Sequence, residues 1–207
     1  MRWSRFWSLA LLGLFLAAHA SGAETAATGT IKGTITAGGR PTSDAVVSVE
    51  GLPQEKGKSQ KAKGKTSKAV IDQKDMKFIP RVVPILVGTT VDFPNNDKTF
   101  HNVFSTSEAK KFDLGLYPSG ESRSVTFDKP GVVKVLCNVH PNMEAYVVVK
   151  GHPNFSASDI QGNYRLNGIP LGKYRLEIWH PEFGTKVVSF NLVRDGEVLA
   201  IDVDMKK

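Results

Sequence analysis

Apolar and polar residues alternate with a period of two along most of the chain, and almost nowhere at the three-to-four spacing of an amphipathic helix. The alternating runs are short, rich in β-branched and aromatic residues, and punctuated by Gly, Pro, Asn and Asp. This pattern predicts strands at 29–35 (GTIKGTI), 44–50 (DAVVSVE), 68–73, 81–87, 89–93, 100–105, 122–127, 131–137 and 144–150. Further strands are predicted at 163–167, 173–180, 185–192 and 197–205, with a brief helical turn near 107–112 (SEAKKF). The expected fold class is all-β.

Two segments break the alternation. Residues 1–23 (MRWSRFWSLALLGLFLAAHASGA) place Arg2 and Arg5 before a short apolar run and end in small residues, with cleavage expected after Ala20 or Ala23. This is the layout of a secretory signal peptide. The run is well short of the roughly 20 residues that cross a bilayer, and no later segment is apolar enough, so no transmembrane span is expected. The second segment, EKGKSQKAKGKTSK (55–68), carries six lysines and no large apolar side chain. It has nothing to bury and reads as a basic linker at 55–66. Such a run could also serve as an electrostatic docking arm, but it holds no arginine or aromatic residue, and export argues against nucleic acid.

Of 207 residues, 27 are Lys or Arg and 20 are Asp or Glu, for a net charge of +7. Removal of the leader leaves 184 residues and a net charge of about +5, enough chain for one large or two small domains. The chain has one cysteine, so no intramolecular disulfide forms. In an oxidising compartment a lone thiol needs masking, either by burial as a small apolar residue or by a metal.

The cysteine stands in VLCNVHPNMEAYVVV (135–149), where Cys137 ends one predicted strand and the next begins at 144. A tight loop between antiparallel strands can turn Cys137, His140 and Met143 toward one point. His101, in FHNVFS after the turn PNND, is the clearest candidate for a fourth ligand. Two imidazoles and a thiolate with a weak thioether make a blue-copper donor set. Zinc does not ordinarily take a thioether, and iron–sulfur clusters need more cysteines. Glu144, beside Met143, is the alternative axial donor. Cys137 and His140 could instead form a nucleophile pair, but a short Pro-containing loop offers little room for an orienting group and an oxyanion hole.

Residues 67–151 resemble the cupredoxins, specifically the plastocyanin and amicyanin group. The likeness rests on MKFIPRVVPILVGTTVDFPNNDKTFHNVFS and FDKPGVVKVLCNVHPNMEAYVVV, including the Cys-x2-His-x2-Met spacing and the proline after the histidine. It implies a Greek-key sandwich in which His101, Cys137, His140 and Met143 hold one copper ion. It further implies that the backbone of Asn102 restrains the thiolate and that His140 is the electron port, bordered by Pro141, Asn142 and a loop at 114–120. Residues 152–207 resemble the carboxypeptidase regulatory-like domain, a small prealbumin-like β-sandwich, on SDIQGNYRLNGIPLGKYRLEIWHP. The N-terminal strands at 28–54 look like the opening strands of that same domain, which would make the copper region an insertion. The combination is similar to periplasmic methylamine-utilisation-type copper proteins.

The function expected from these likenesses is single-electron transfer through Cu(I)/Cu(II) in the periplasm, with a c-type cytochrome or a periplasmic dehydrogenase or reductase as partner. His152 and His180 both precede proline and read as turn residues, leaving no ligands for the second copper centre of an oxidase or nitrite reductase. The expectation is therefore a carrier and not an enzyme. Copper delivery or storage is the alternative, and a structural or adhesive β protein with a vestigial site is a third reading.

Overall fold

A computed structural model describes residues 26–52 and 68–206. The expected signal peptide at 1–23 and the linker at 55–66 lie outside the described residues. Three strands come first: β1 (Thr28–Ala37), β2 (Arg40–Pro41) and β3 (Val46–Glu50). Ten follow the linker: β4 (Lys68–Val70), β5 (Asp72–Lys74), β6 (Lys77–Ile79), β7 (Val82–Leu86), β8 (Thr89–Pro94), β9 (His101–Ser105), β10 (Phe112–Tyr117), β11 (Ser122–Phe127), β12 (Gly131–Leu136) and β13 (Glu144–Lys150). The last six are β14 (Phe155–Ala157), β15 (Asn163–Pro170), β16 (Gly172–His180), β17 (Gly184–Leu192), β18 (Val198–Ala200) and β19 (Val203–Met205). The described residues are all-β.

Strands β4–β13 build one sandwich. One sheet runs β10-β9-β12-β13-β7 and the other β11-β8-β4, with the β5–β6 hairpin beside them. Period-2 alternation fixes which side chains meet between the sheets. Val91 and Phe93 of β8, Val125 and Phe127 of β11, Val133 and Val135 of β12, and Ala145, Val147 and Val149 of β13 form a single buried cluster.

The second sandwich joins the two ends of the chain. β1 pairs antiparallel with β15 and parallel with β18 and β19, while β3 lies between β14 and β16. Its own core holds Ile31, Ile35, Val47, Val49, Leu176 and Ile178. The chain therefore leaves this sandwich after β3, builds the first one, and returns at β14. The two sandwiches meet where Val46, Val82 and Val148 pack together with Tyr146 and Trp179, whose rings lie 5.5 Å apart. Lys150 Nζ bridges this interface to Glu177 at 2.8 Å and Glu50 at 3.2 Å.

Three local expectations are corrected. In the run 107–112, residues 107–110 form a single hydrogen-bonded turn rather than a helical one, with Lys110 N–H donating to the Ser107 carbonyl at 3.1 Å, and Phe112 already begins β10. The loop expected at 114–120 is in part strand: β10 pairs with β9 across an irregularity between Asp113 and Leu116, and Gly115 there has φ of 68°. The run 197–205 is two strands, because Asp202 Oδ1 accepts the Thr34 amide at 2.8 Å and interrupts the ladder to β1.

Candidate metal centre

Strand parity delivers the donors to one place. In β9, His101 has the parity of the buried Val103, so its ring enters the sandwich. In β12, Val133 and Val135 point inward, and Cys137 one step past the strand keeps that face. In β13, Ala145, Val147 and Val149 point inward, and Met143 one step before it does the same. The Leu136↔Glu144 pair closes the loop 137–143, and the Met143 amide donates to the His140 carbonyl at 2.9 Å inside it.

The ligand atoms of His101, Cys137 and His140 lie within 4.8 Å of one another. Nδ1 of His101 is 3.0 Å from Nδ1 of His140, and the Cys137 sulfur is 3.9 Å from the same His140 nitrogen. The two rings meet edge to face, with centroids 4.7 Å apart. His101 is fully buried, Cys137 and Met143 are buried in the same cluster, and His140 is half-buried. Among the described residues this is the one group of three or more His, Cys, Asp or Glu side chains with metal-binding geometry.

Asp97 backs His101 on the side away from Cys137 and His140. Asp97 Oδ2 lies 2.9 Å from its Nε2 and also accepts the Met76 amide at 2.7 Å, while Oδ1 accepts the Lys98 amide at 2.7 Å. The Met76 amide foremost, and then His101 and the Lys98 amide, hold the Asp97 carboxyl down at about 2 against the cost of its burial. A carboxylate can only accept, so Nε2 carries a proton, and Nδ1 is the ring nitrogen that faces His140 and Cys137. Sequence reasoning missed Asp97, although an acid four residues before a candidate ligand histidine was there to be found.

Glu144 is committed elsewhere. Oε1 accepts from Arg81 at 2.7 Å and Oε2 from Lys134 at 2.8 Å, and Lys134 foremost, then Arg81, keeps its carboxyl below the usual range. Its parity places it on the outer face of β13, away from Met143. Asn102 is buried, donates from Nδ2 to Asp113 at 2.7 Å, and leaves Oδ1 without a hydrogen-bond partner. His180 is no plain turn residue: it ends β16, is buried, and accepts the Glu182 amide on Nδ1 at 3.1 Å.

Residues 65–150 match the family of copper binding proteins described as plastocyanin/azurin. The matched span covers β4–β13 and all four candidate ligands. No curated protein matches the chain. Among solved structures, a purple cupredoxin from Nitrosopumilus maritimus is similar at 28% identity over 40% of this chain and 99% of its own, with a TM-score of 0.37. An amicyanin variant in the Cu(I) form is 26% identical over 40% of this chain and 81% of its own, with a TM-score of 0.38. A copper-containing nitrite reductase from Thermus scotoductus SA-01 is 28% identical over 41% of this chain, at a TM-score of 0.39, and this chain spans only 22% of it.

Copper is the cofactor on which the family match and the donor set agree. A buried cysteine sulfur, an imidazole whose Nε2 is engaged by Asp97 so that Nδ1 faces the site, and a second imidazole within contact of both make a soft set of two nitrogens and one sulfur, suited to that ion.

Proposed function

We propose that this chain is an exported mononuclear copper protein that carries single electrons between periplasmic partners. The observation that carries the reading is the meeting of His101 Nδ1, His140 Nδ1 and Cys137 Sγ, with one histidine buried and the other half-exposed. His101, Cys137 and His140 would hold the ion, with the Met143 thioether as a fourth, weaker donor. Copper bound there supplies a one-electron Cu(I)/Cu(II) couple.

The protein's own contribution is to hold these donors still and dry. Cys137 and Met143 sit at the ends of paired strands, and His101 is fixed by Asp97. None of the three has to move when the charge at the site changes, so reorganisation is small. His140 is the most exposed donor and serves as the electron port. Val139 beside it, Phe100 beside His101 and Leu116 opposite Asn102 stay exposed, an apolar surface on which a partner can dock.

A c-type cytochrome or a periplasmic dehydrogenase or reductase fits as that partner, and the leader at 1–23 supports export. The second sandwich is a carboxypeptidase regulatory-like module with no reaction of its own. The chain itself is a carrier and not an enzyme.

Optical and EPR spectra of the copper-loaded protein test this reading, followed by electron exchange with a c-type cytochrome. An intense visible thiolate-to-copper band that is lost in Cys137→Ser supports it. Absence of that band, or rapid loss of reduced copper to a modest chelator with no electron exchange, overturns it in favour of delivery or storage.

A further inference from the structure

Arg81 stands outside the donor set, yet it touches the base of the ligand loop and the second sandwich at once. It precedes β7, and its carbonyl accepts the Tyr146 amide of β13 at 2.7 Å, so its backbone is part of the copper-binding unit. Its guanidinium then reaches across the interface. Nη2 donates to Glu144 Oε1 at 2.7 Å, Nη1 donates to Glu182 Oε1 at 2.9 Å, and Nη1 lies 3.7 Å from Asp44 Oδ2. Glu144 is the residue after Met143 and the partner of Leu136, the residue before Cys137. Glu182 and Asp44 belong to the turn after β16 and the residues before β3 of the second sandwich. Asp44 is held at a φ of 64°, a conformation that costs a non-glycine residue energy unless its surroundings impose it.

We propose that Arg81 is a positioning residue through which the second sandwich fixes the ligand loop, by way of Glu182–Arg81–Glu144. The inference rests on the copper reading above. Three considerations favour it over an ordinary surface ion pair. The guanidinium is only one-third exposed, so solvent screens it less than a free surface charge. Its planar fork addresses two carboxylates from different sandwiches, a geometry that lysine cannot reproduce. Glu144 is gripped a second time by Lys134 of β12, so both strands that frame loop 137–143 are tied to one carboxylate. The short loop has no other charged side chain to brace it, and its two ends each carry a ligand. The second sandwich is on this account a brace that narrows the set of loop geometries.

The test uses the full-length protein, with Arg81→Met, Arg81→Lys and Glu182→Gln compared with wild type. Glu182→Gln is the decisive variant, because its side chain is half-exposed and outside the copper-binding unit. In the copper-loaded protein the readouts are the reduction potential, the shape of the thiolate-to-copper bands and the EPR hyperfine splitting. In the metal-free protein the readout is amide hydrogen exchange across residues 138–143. Arg81→Met should alter the spectra and raise loop exchange several-fold. Glu182→Gln should shift both in the same direction by less, Arg81→Lys should fall between, and the Arg81→Met/Glu182→Gln double variant should add little to Arg81→Met. Lower thermal stability with unchanged spectra, potential and loop exchange in Glu182→Gln would overturn the proposal, as would full additivity in the double variant. If Arg81→Met does not fold, Glu182→Gln and Arg81→Lys decide alone. A wild-type protein without a thiolate-to-copper band defeats the copper reading, and the exchange measurement still decides whether Arg81 braces the loop.

Discussion

Asp97 Oδ2 sits 2.9 Å from His101 Nε2 while also receiving the backbone amide of Met76, at the tip of the β5–β6 hairpin. One carboxylate thereby joins the hairpin to the most buried histidine of the candidate centre. Asp97→Asn keeps the shape but cannot accept on both sides, so either the Lys98 amide or the Met76 and His101 donors face an amide NH2. Copper affinity should fall by about 10- to 100-fold, the usual cost of losing a partner behind a ligating histidine. Competitive titration against a chelator of known affinity measures it. Unchanged affinity would show that packing alone orients the ring.

Met143 is fully buried with Cys137 in the core of the first sandwich. Met143→Gln should retain copper and lower the reduction potential, because an oxygen donor favours Cu(II) over Cu(I) relative to a thioether. The metal-free protein should also lose about 1–3 kcal/mol in denaturant unfolding, since a buried amide replaces an apolar side chain. A stability loss with an unchanged potential and spectrum would assign Met143 to packing.

The strands with unbroken alternation were legible in the sequence because period-2 patterning is itself the burial pattern: Val133, Val135 and Cys137, or Ala145, Val147 and Val149. The meeting of His101 with the 137–143 loop was foreshadowed by residue types and by a family likeness, not by periodicity. β10 escaped because Gly115, Pro118 and Gly120 carry turn chemistry, and only the ladder to β9 makes the segment a strand. Asp97 and Arg81 escaped for another reason. Their roles depend on side-chain reach between elements, and a charged residue in a turn, as Asp97 is, or at the edge of a predicted strand, as Arg81 is, reads as solvated until its partners are known.

His180 offers a test of pH dependence. Its Nδ1 accepts the Glu182 amide, so that nitrogen must be unprotonated, and Nε2 lies 3.3 Å from the Thr42 hydroxyl. Burial pushes its pKa below the ordinary 6.5, a shift to which nearby Arg81 adds and which Glu182, the Ser43 backbone and Asp44 partly offset. The unfolded chain takes up a proton that the folded ring resists. The stability from the neutral ring is therefore full above 6.5 and is lost as pH falls through the lower folded value. His180→Asn keeps an acceptor for Glu182 but cannot titrate. The slope of metal-free stability against pH below 6.5 should flatten relative to wild type, by no more than about 1.4 kcal/mol per pH unit. Parallel profiles would show that His180 is solvated in the folded state.

Gly33 tests whether the two sandwiches unfold as one. It lies in β1 opposite Tyr164, and a Cβ there would run into the Ile201 carbonyl and lie 3.1 Å from the Tyr164 ring. The strand cannot step aside, because β1 is hydrogen-bonded to β15 on one side and to β18 and β19 on the other. Gly33→Ala should cost about 1–3 kcal/mol, as overpacking in a filled core does. The damage falls in the core of Ile31, Ile35 and Val47, which shares no residue with the core around Cys137. Differential scanning calorimetry of the copper-loaded variant should therefore split into two transitions. The first should change the shape of the visible thiolate band without bleaching it, because unfolding the second sandwich removes the Glu182 contact to Arg81, and the second coincides with its loss. A single transition, shifted down with the band bleaching in step, would show instead that Val46, Val82, Val148 and the Lys150 bridges weld the sandwiches into one cooperative unit.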